Sequence, residues 1–353
     1  MKKHRTGRVS LPIAKLTATI ALAITLTFTA CDENEAEKKA AEQAAAAAAA
    51  AAIAAEAEAE AYRAAQEAAM AEAERAMLEA EAAAEAEAER AAQEADTADI
   101  EIKTVSNIKE FVAALGSNRI IELKPGKYNL SERIDNAFEG EDDSPAGVSW
   151  SYGDGALMLN GIRNLTIRGA ESGKLPELTI DERYAYVLNF INCRNIVIDG
   201  ISAGHSEGGY CTGGVFNFEN SSGITINGTA MYGSGTEGLT LTNVFNMKVT
   251  NSRIYECTYH IMTVNGGKDI TFENCVFDNN KEFLLVNVSR TRGMSFADCK
   301  FNNNQGNAMF NVVGTTVYVY KSTFSNNKVN DAVVHTNNVG FTGCIFNNNG
   351  KSE

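Results

Sequence analysis

The sequence predicts an all-β solenoid, a stack of about nine short coils with parallel strands, behind a long Ala/Glu-rich α-helical stalk. Three observations predict it. After Asp99 the composition turns from Ala and Glu to Asn, Gly, Thr, Phe, Ile and Val. In that region NLTIRGA (164–170), NIVIDGI (195–201), GITINGT (223–229), NMKVTNSRIY (246–255), DITFENCVFDNN (269–280), GMSFADCKFNNN (293–304), TVYVYKSTFSNN (316–327) and VGFTGCIFNNN (339–349) align. One small position per repeat (Thr229, Ser252, Cys275, Cys299, Ser322, Cys344) recurs after 23, 23, 24, 23 and 22 residues.

The chain of 353 residues opens on a segment outside the fold. KKHRTGR (2–8) is basic, and Leu16 to Ala30 is apolar and Thr-rich. About 15 residues is short for a membrane span, which needs ~20, so the pattern reads as a secretory signal. Its FTAC end (28–31) is similar to a bacterial lipoprotein signal, cleaved before a cysteine that is then lipidated. That resemblance implies residues 1–30 as signal, 31–34 as lipidated N-terminus, Cys31 as the lipid-bearing residue and a bacterial cell envelope location. The bilayer is then a partner through Cys31. The other reading is an ordinary signal followed by a free thiol.

Residues 35–97 are strong helix formers without Gly or Pro. Such a helix would reach roughly 90 Å at ~1.5 Å per residue. Its large apolar residues, Ile53, Tyr62, Met70, Met77 and Leu78, make no clean heptad seam. A single rod and an alanine-seamed homo-oligomeric coiled coil both remain open, and a spacer role suits either. Residues 32–99 hold 19 acids and 5 bases, while 100–353 hold 26 acids and 21 bases. The acidity sits in the stalk, and no part of the chain has the basic footprint of a nucleic-acid binder.

The body, 98–353, begins with a helical cap. In SNIKEFVAALG (106–116) Ser106 can cap, Ile108, Phe111, Val112 and Leu115 share a face, and Gly116 ends the segment. The expectation is a helix at 106–115 that covers a bare sheet edge. Each coil then carries its aligned strand and a second one before it: YVLNF, VFNF, GLTLT, HIMTV, LLVNV, AMFNV and AVVHT. Asn164, Asn195, Gly223, Asn246, Asp269 and Gly293 stand where a corner needs positive φ. One coil cannot bury its apolar face, but coils stacked at ~4.8 Å share a core. Cys275, Cys299 and Cys344 then face inward as small filling. Cys211 and Cys257 sit about 9.6 Å apart, beyond the ~7 Å Cα limit for a disulfide. The lack of any C-x-x-C and the four scattered histidines argue against zinc.

This ladder, with IELKPGKY (121–128) as its first coil, resembles the right-handed parallel β-helix of pectate lyases, pectin lyases and related proteins over about 100–353. The resemblance implies fold first, because that fold hosts many activities. Lyases of this kind abstract a proton beside a uronate carboxyl with Lys or Arg, often with Ca²⁺. Here Lys281 would be the base, with Glu237 and Glu282 as calcium ligands. Hydrolases of this kind use clustered Asp residues. The pectate-lyase Trp–Asp–His signature is absent, as are the polygalacturonase Asn–Thr–Asp and Arg–Ile–Lys motifs. GHS (204–206) echoes the polygalacturonase Gly–His–Gly.

Coil length points to a flank. Steps of 31 and 28 residues, Ala170 to Ile201 and Ile201 to Thr229, mark insertions at 171–185 and 204–214. A third lies at 136–155. All are expected to leave after the same aligned strand and gather on one side. That flank would carry catalytic candidates His205, Glu237, His260 and Lys281, and ligand-binding candidates Glu207, Tyr210, Tyr232, Tyr255, Tyr259 and Glu282. Rings beside carboxylates and an imidazole suit sugars. No cofactor is expected beyond Ca²⁺, for which Glu139, Glu141, Asp142 and Asp143 offer hard oxygen ligands. The first functional expectation is an anchored envelope protein that binds polysaccharide or another surface ligand. The alternatives are a polysaccharide lyase or glycoside hydrolase on the same flank, and a structural or adhesion element without a small-ligand site.

Overall fold

A computed structural model describes residues 35–97, 99–133, 145–151, 155–206, 212–233, 235–330 and 338–351. The chain divides into two units, Met1–Arg75 and Ala76–Glu353. Helix α1 runs from Glu35 to Thr97, with Ile53, Tyr62 and Leu78 exposed. No helix among the described residues is long and apolar enough to cross a membrane. Cys31 and the signal-like segment lie outside the described residues, as do Cys211 and the strand expected at AVVHT (332–336).

The body is a three-faced parallel β-solenoid. The first sheet carries the aligned strands, from Arg119–Leu123 and Arg163–Gly169 to Val339–Thr342. The second carries Leu157–Asn160, Leu188–Ile191, Phe216–Glu219, 237–242, 260–265, 284–289 and Ala308–Val313. The third is nine-stranded, from Lys127–Asn129 to Ile345–Asn347. Seven turns therefore carry strands on all three faces, rather than the nine counted from the repeats. The first rung, with Arg119–Leu123 and Lys127–Asn129, and the last repeat, with Val339–Thr342 and Ile345–Asn347, contribute to the first and third sheets only, among the described residues.

Two further expectations are corrected. Residues 171–185 are not one insertion: they contain the third-sheet strand Glu177–Ile180, so the extra length divides between two corners. Helix α2, Ile108–Ala114, is capped by Asn107, not Ser106. The Asn107 Oδ1 accepts from the Glu110 N–H at 3.0 Å, and the Glu110 carboxylate accepts from the Ser106 N–H and hydroxyl at 2.8 and 2.9 Å. The second oxygen-bearing side chain reaches the helix N–H more directly than the first. Phe111 of α2 meets Tyr128 of the first turn edge-on at 6.5 Å. A strand the repeats did not announce, Glu101–Val105, pairs with Arg119–Leu123 ahead of the first turn.

Each rung is registered on the next, so like residues stack. Phe277, Phe301, Phe324 and Phe346 follow one another with ring centroids 4.8, 4.6 and 5.0 Å apart. Thr229 donates its N–H to the Ser252 hydroxyl and Cys299 its N–H to that of Ser322. Cys275 and Cys299 are buried free thiols on adjacent rungs. The corner residues Asn164, Asn195, Asn246 and Asp269 have φ of 54–56°, and Gly223 and Gly293 have 67°, as the corners require.

A buried asparagine ladder closes the corner between the third and second sheets. The Asn304 Oδ1 accepts from the Asn280 N–H and Nδ2, at 3.1 and 3.0 Å. Its Nδ2 donates to the Phe277 carbonyl and to the Asn327 Oδ1, at 2.9 and 3.0 Å. Asn304→Ala strands these partners out of water, at ~1–3 kcal/mol for each buried group left unpaired. Urea denaturation of the full chain should show a loss of about 3 kcal/mol or more. The exposed Lys300→Ala should stay within about 0.5 kcal/mol of the parent.

Candidate functional site

The connections from the third sheet to the second hold most of the candidate residues. His205 ends the strand Ser202–His205, Glu237 begins Glu237–Thr250, His260 begins His260–Glu273, and Lys281 and Glu282 follow Val276–Asp278. Parallel pairing sets Glu237 opposite His260 on adjacent rungs. Glu207 and Tyr210 lie outside the described residues, as do Glu139, Glu141, Asp142 and Asp143.

Glu237 is buried, only 7 % exposed, and no Lys or Arg stands within ion-pair reach among the described residues. Hydroxyls hold its carboxylate instead. Oε1 accepts from Tyr186 at 3.0 Å and from Thr240 at 2.5 Å, while Oε2 accepts from Thr263 at 3.4 Å. Tyr186 sits two rungs away and crosses the intervening rung at Gly214. A Cβ there would lie 2.4 Å from the Tyr186 ring and 2.8 Å from the Glu237 carbonyl. Burial, then the Glu237 charge, pushes the Tyr186 phenol well above its ordinary range, so it remains a donor.

A second crossing of the same design lies on the third sheet. Tyr232 passes over Gly204, where a Cβ would lie 2.9 Å from the ring, and donates to the Glu177 Oε1 at 2.5 Å. The glycines at the two ends of 204–214 thus let two tyrosines lie across one rung. Tyr255 stacks on Tyr232 with centroids 5.6 Å apart and takes the Arg253 guanidinium over its ring at 3.9 Å. Arg253 in turn forms a bidentate pair with Asp278, at 2.7 and 2.5 Å. Tyr232 and Tyr255 thus pack against protein partners on the third sheet. Tyr259 meets Phe283 edge-on at 5.0 Å.

The imidazoles are also committed. His205 is buried, with Nε2 3.0 Å from the Ala185 carbonyl. A carbonyl only accepts, so Nε2 carries the proton and Nδ1 is the bare nitrogen; it is buried without a partner. Burial pushes the His205 pKa below the ordinary imidazole value, against the Ala185 bond and the Glu182 charge. The His260 Nδ1 lies 2.5 Å from the Leu284 carbonyl and is a donor for the same reason. Register brings Glu237 and His260 together, and Ala185–Tyr186 links His205 to them. Lys281 and Glu282 are exposed, and their side chains join no hydrogen bond or ion pair among the described residues. Nor do the described residues gather three or more His, Cys, Asp or Glu as a cation site.

What the repeat comparison did not single out is the outer row of the second sheet. Asn189, Asn217, Thr240, Thr263, Asn287 and Asn311 stand in register on successive rungs. Asn217 donates to Asn189 at 3.4 Å and Asn311 to Asn287 at 2.8 Å. The signal was in the sequence, as these positions from 217 onward recur after 23, 23, 24 and 24 residues. Tyr186 had no such signal, because its partner lies two rungs away. A separate groove of about 480 Å³ opens where the first sheet turns into the third, between Glu122, Arg168, Asp199 and the 171–175 loop. There Arg168 is already paired with Glu122 at 2.6 Å.

A family profile described as a right handed beta helix region matches residues 146–294 and 190–349. The sequence matches no curated protein. Among solved structures, the alginate lyase of Paenibacillus sp. str. FPU-7 is similar at 13 % identity, with 71 % of this chain and 98 % of that chain covered and a TM-score of 0.39. The pectate lyase of Bacillus sp. N165 in complex with trigalacturonate is similar at 13 % identity, with 71 % and 83 % covered and a TM-score of 0.47. The family 28 exopolygalacturonase of Yersinia enterocolitica is similar at 10 % identity, with 73 % and 74 % covered and a TM-score of 0.33.

Two outcomes test this geometry. Gly214→Ala should push Tyr186 off Glu237 and lower stability by about 1–3 kcal/mol, read by denaturant titration. His205 is held neutral in the folded chain, with its pKa depressed. Its contribution to stability is therefore complete above the ordinary imidazole value of about 6.5 and declines as pH falls below it. Thermal melts of His205→Gln should lose that part of the pH dependence.

Proposed function

Since the chain belongs to the family of right-handed β-helix regions, we propose that its solenoid binds polysaccharide along the outer face of the second sheet, beside Glu237. One observation carries this reading. Short amide and hydroxyl side chains repeat on that face on the five successive rungs from Asn217 to Asn311, and a buried carboxylate stands at its margin. A linear glycan also repeats its hydroxyls along an axis, so a row of donors and acceptors at ~4.8 Å suits it. Binding without turnover fits better than hydrolysis, which generally needs two carboxyl groups across the scissile bond. The Glu237 carboxylate bonds to the neutral hydroxyls of Tyr186, Thr240 and Thr263.

The catalytic reading rests on a different observation, the adjacency of Glu237 and His260, which could supply an acid and a base. In the same proposal, Cys31 is lipidated in a bacterial cell envelope and α1 is the spacer between lipid and solenoid. This part rests on the basic 2–8 segment, the apolar run to Ala30 and the Ala/Glu composition of 35–97. Ca²⁺ would be held by the 139–143 loop if a cation takes part.

Calorimetry against a panel of neutral and uronic oligosaccharides, with and without Ca²⁺, tests the binding. Tyr186→Phe removes one donor to Glu237 and should weaken the bound glycan about tenfold. No glycan bound by the parent would sink the reading. Unsaturated or reducing-end products that disappear in Glu237→Gln would replace binding with catalysis. Cys31→Ala should move the protein from the membrane to the soluble fraction of cells.

A further inference from the structure

Resting on the reading that this solenoid takes polysaccharide, we infer a second glycan site on the outer face of the first sheet, where Tyr318 and Tyr320 pack against the C–H faces of sugar rings. The strand Val317–Tyr320 alternates: Val317 and Val319 fill the core, and the two tyrosines point outward. They are 45 % and 39 % exposed. Their rings lie within 12° of parallel, with centroids 6.3 Å apart. That matches the ~6.6 Å between alternate residues of a strand, so the backbone itself sets the spacing. Single apolar residues scattered on a surface need no explanation, but two parallel rings on one strand are a patch.

The neighbouring rungs leave this pair open. Ser295 and Gly340 flank Tyr318 in register, and Ala297 and Thr342 flank Tyr320. All four are too small to cover a ring. A Cβ at Gly340 would lie 3.2 Å from one edge of the Tyr318 ring, so the glycine keeps that edge clear. Other tyrosines of the solenoid are committed to the protein. Tyr128, Tyr186 and Tyr232 donate hydrogen bonds, and Tyr255 takes the Arg253 guanidinium over its ring. Among the described residues, Tyr318 and Tyr320 have ring contact only with each other, and neither hydroxyl joins a hydrogen bond.

A pyranose answers both features. Its C–H groups pack on an aromatic ring, and its hydroxyls pair with phenol, Ser and Thr oxygens. The place also continues the face already assigned to polysaccharide. Ala308–Val313 carries Asn311, the last of the amide and hydroxyl row, and the same rung passes directly into Val317–Tyr320. A glycan that follows the second sheet to its end meets the two rings around the next corner.

The experiment combines calorimetry with NMR of the sugar protons, using cellohexaose, mannohexaose and hexagalacturonate on the full chain. A bound probe should show its C–H resonances moved upfield by the aromatic ring currents. Tyr318→Ala with Tyr320→Ala should abolish that shift and weaken binding about tenfold or more. Phe at both positions should keep the shift and stay within about threefold of the parent. If the alanine pair fails to fold, Leu at both positions keeps the bulk without the aromatic face, and should give the same loss. Tyr186→Phe, at the second-sheet margin, should leave the upfield shift in place. Binding and shift unchanged in the folded alanine or leucine pair would overturn the inference, and a loss confined to Tyr186→Phe would leave the second-sheet reading intact. Self-association of the parent that disappears in the alanine pair would assign the rings to a second copy of the chain and overturn it too. Failure of the parent to bind every probe would overturn both.

Discussion

Parallel backbone pairing between rungs is the constraint on which the rest of this solenoid depends. The backbone of each rung pairs with the one before and the one after, at ~4.8 Å, in fixed register. A side chain therefore meets the residue one period away along the chain far more than its sequence neighbours. That repetition turns modest contacts into continuous ones. The phenylalanines stack because their rungs do, and Asn280, Asn304 and Asn327 share oxygens because each is offered the next at a fixed height. A buried amide would otherwise be a liability; here every one of its groups finds a partner in a neighbouring rung.

The same register builds the candidate site. Glu237 and His260 are neighbours because they open consecutive rungs of the second sheet, and the Asn and Thr row exists because one outward position recurs. Departures from the period add what repetition cannot. Gly204 and Gly214 remove side chains from one rung, and two tyrosines use the space to reach carboxylates two rungs off. One of these crossings braces the third sheet, together with Tyr255, Arg253 and Asp278. The other holds the buried Glu237 carboxylate at the margin of the second sheet.

Charge and exposure divide the body into surfaces of different character. On the third sheet, Lys127 with Glu177 and Arg253 with Asp278 settle their charges pairwise. In the groove beside Asp199, Arg168 settles with Glu122. On the second sheet, Arg290 donates to the neutral Asn265 Oδ1 at 3.2 and 2.8 Å, and hydroxyls hold the Glu237 carboxylate.

The period of 22–24 residues was legible in the sequence, and with it the solenoid, the inward small-residue stack and the positive-φ corners. These follow from repetition, and repetition is a property of sequence. The capping helix was legible too, though its cap lies one residue later than expected. The number of complete turns was not, because the terminal repeats keep their aligned strands while contributing nothing to the second sheet among the described residues. Nor was the strand Glu177–Ile180 inside an apparent insertion, since a single irregular repeat has nothing to align with. Composition could place tyrosines, histidines and carboxylates on one flank. Only the tertiary structure decided that Tyr232 and Tyr255 spend their ring faces on each other and on Arg253, and that Tyr186 reaches Glu237. Those contacts depend on how far a side chain travels across neighbouring rungs, a distance that residue spacing along the chain does not encode.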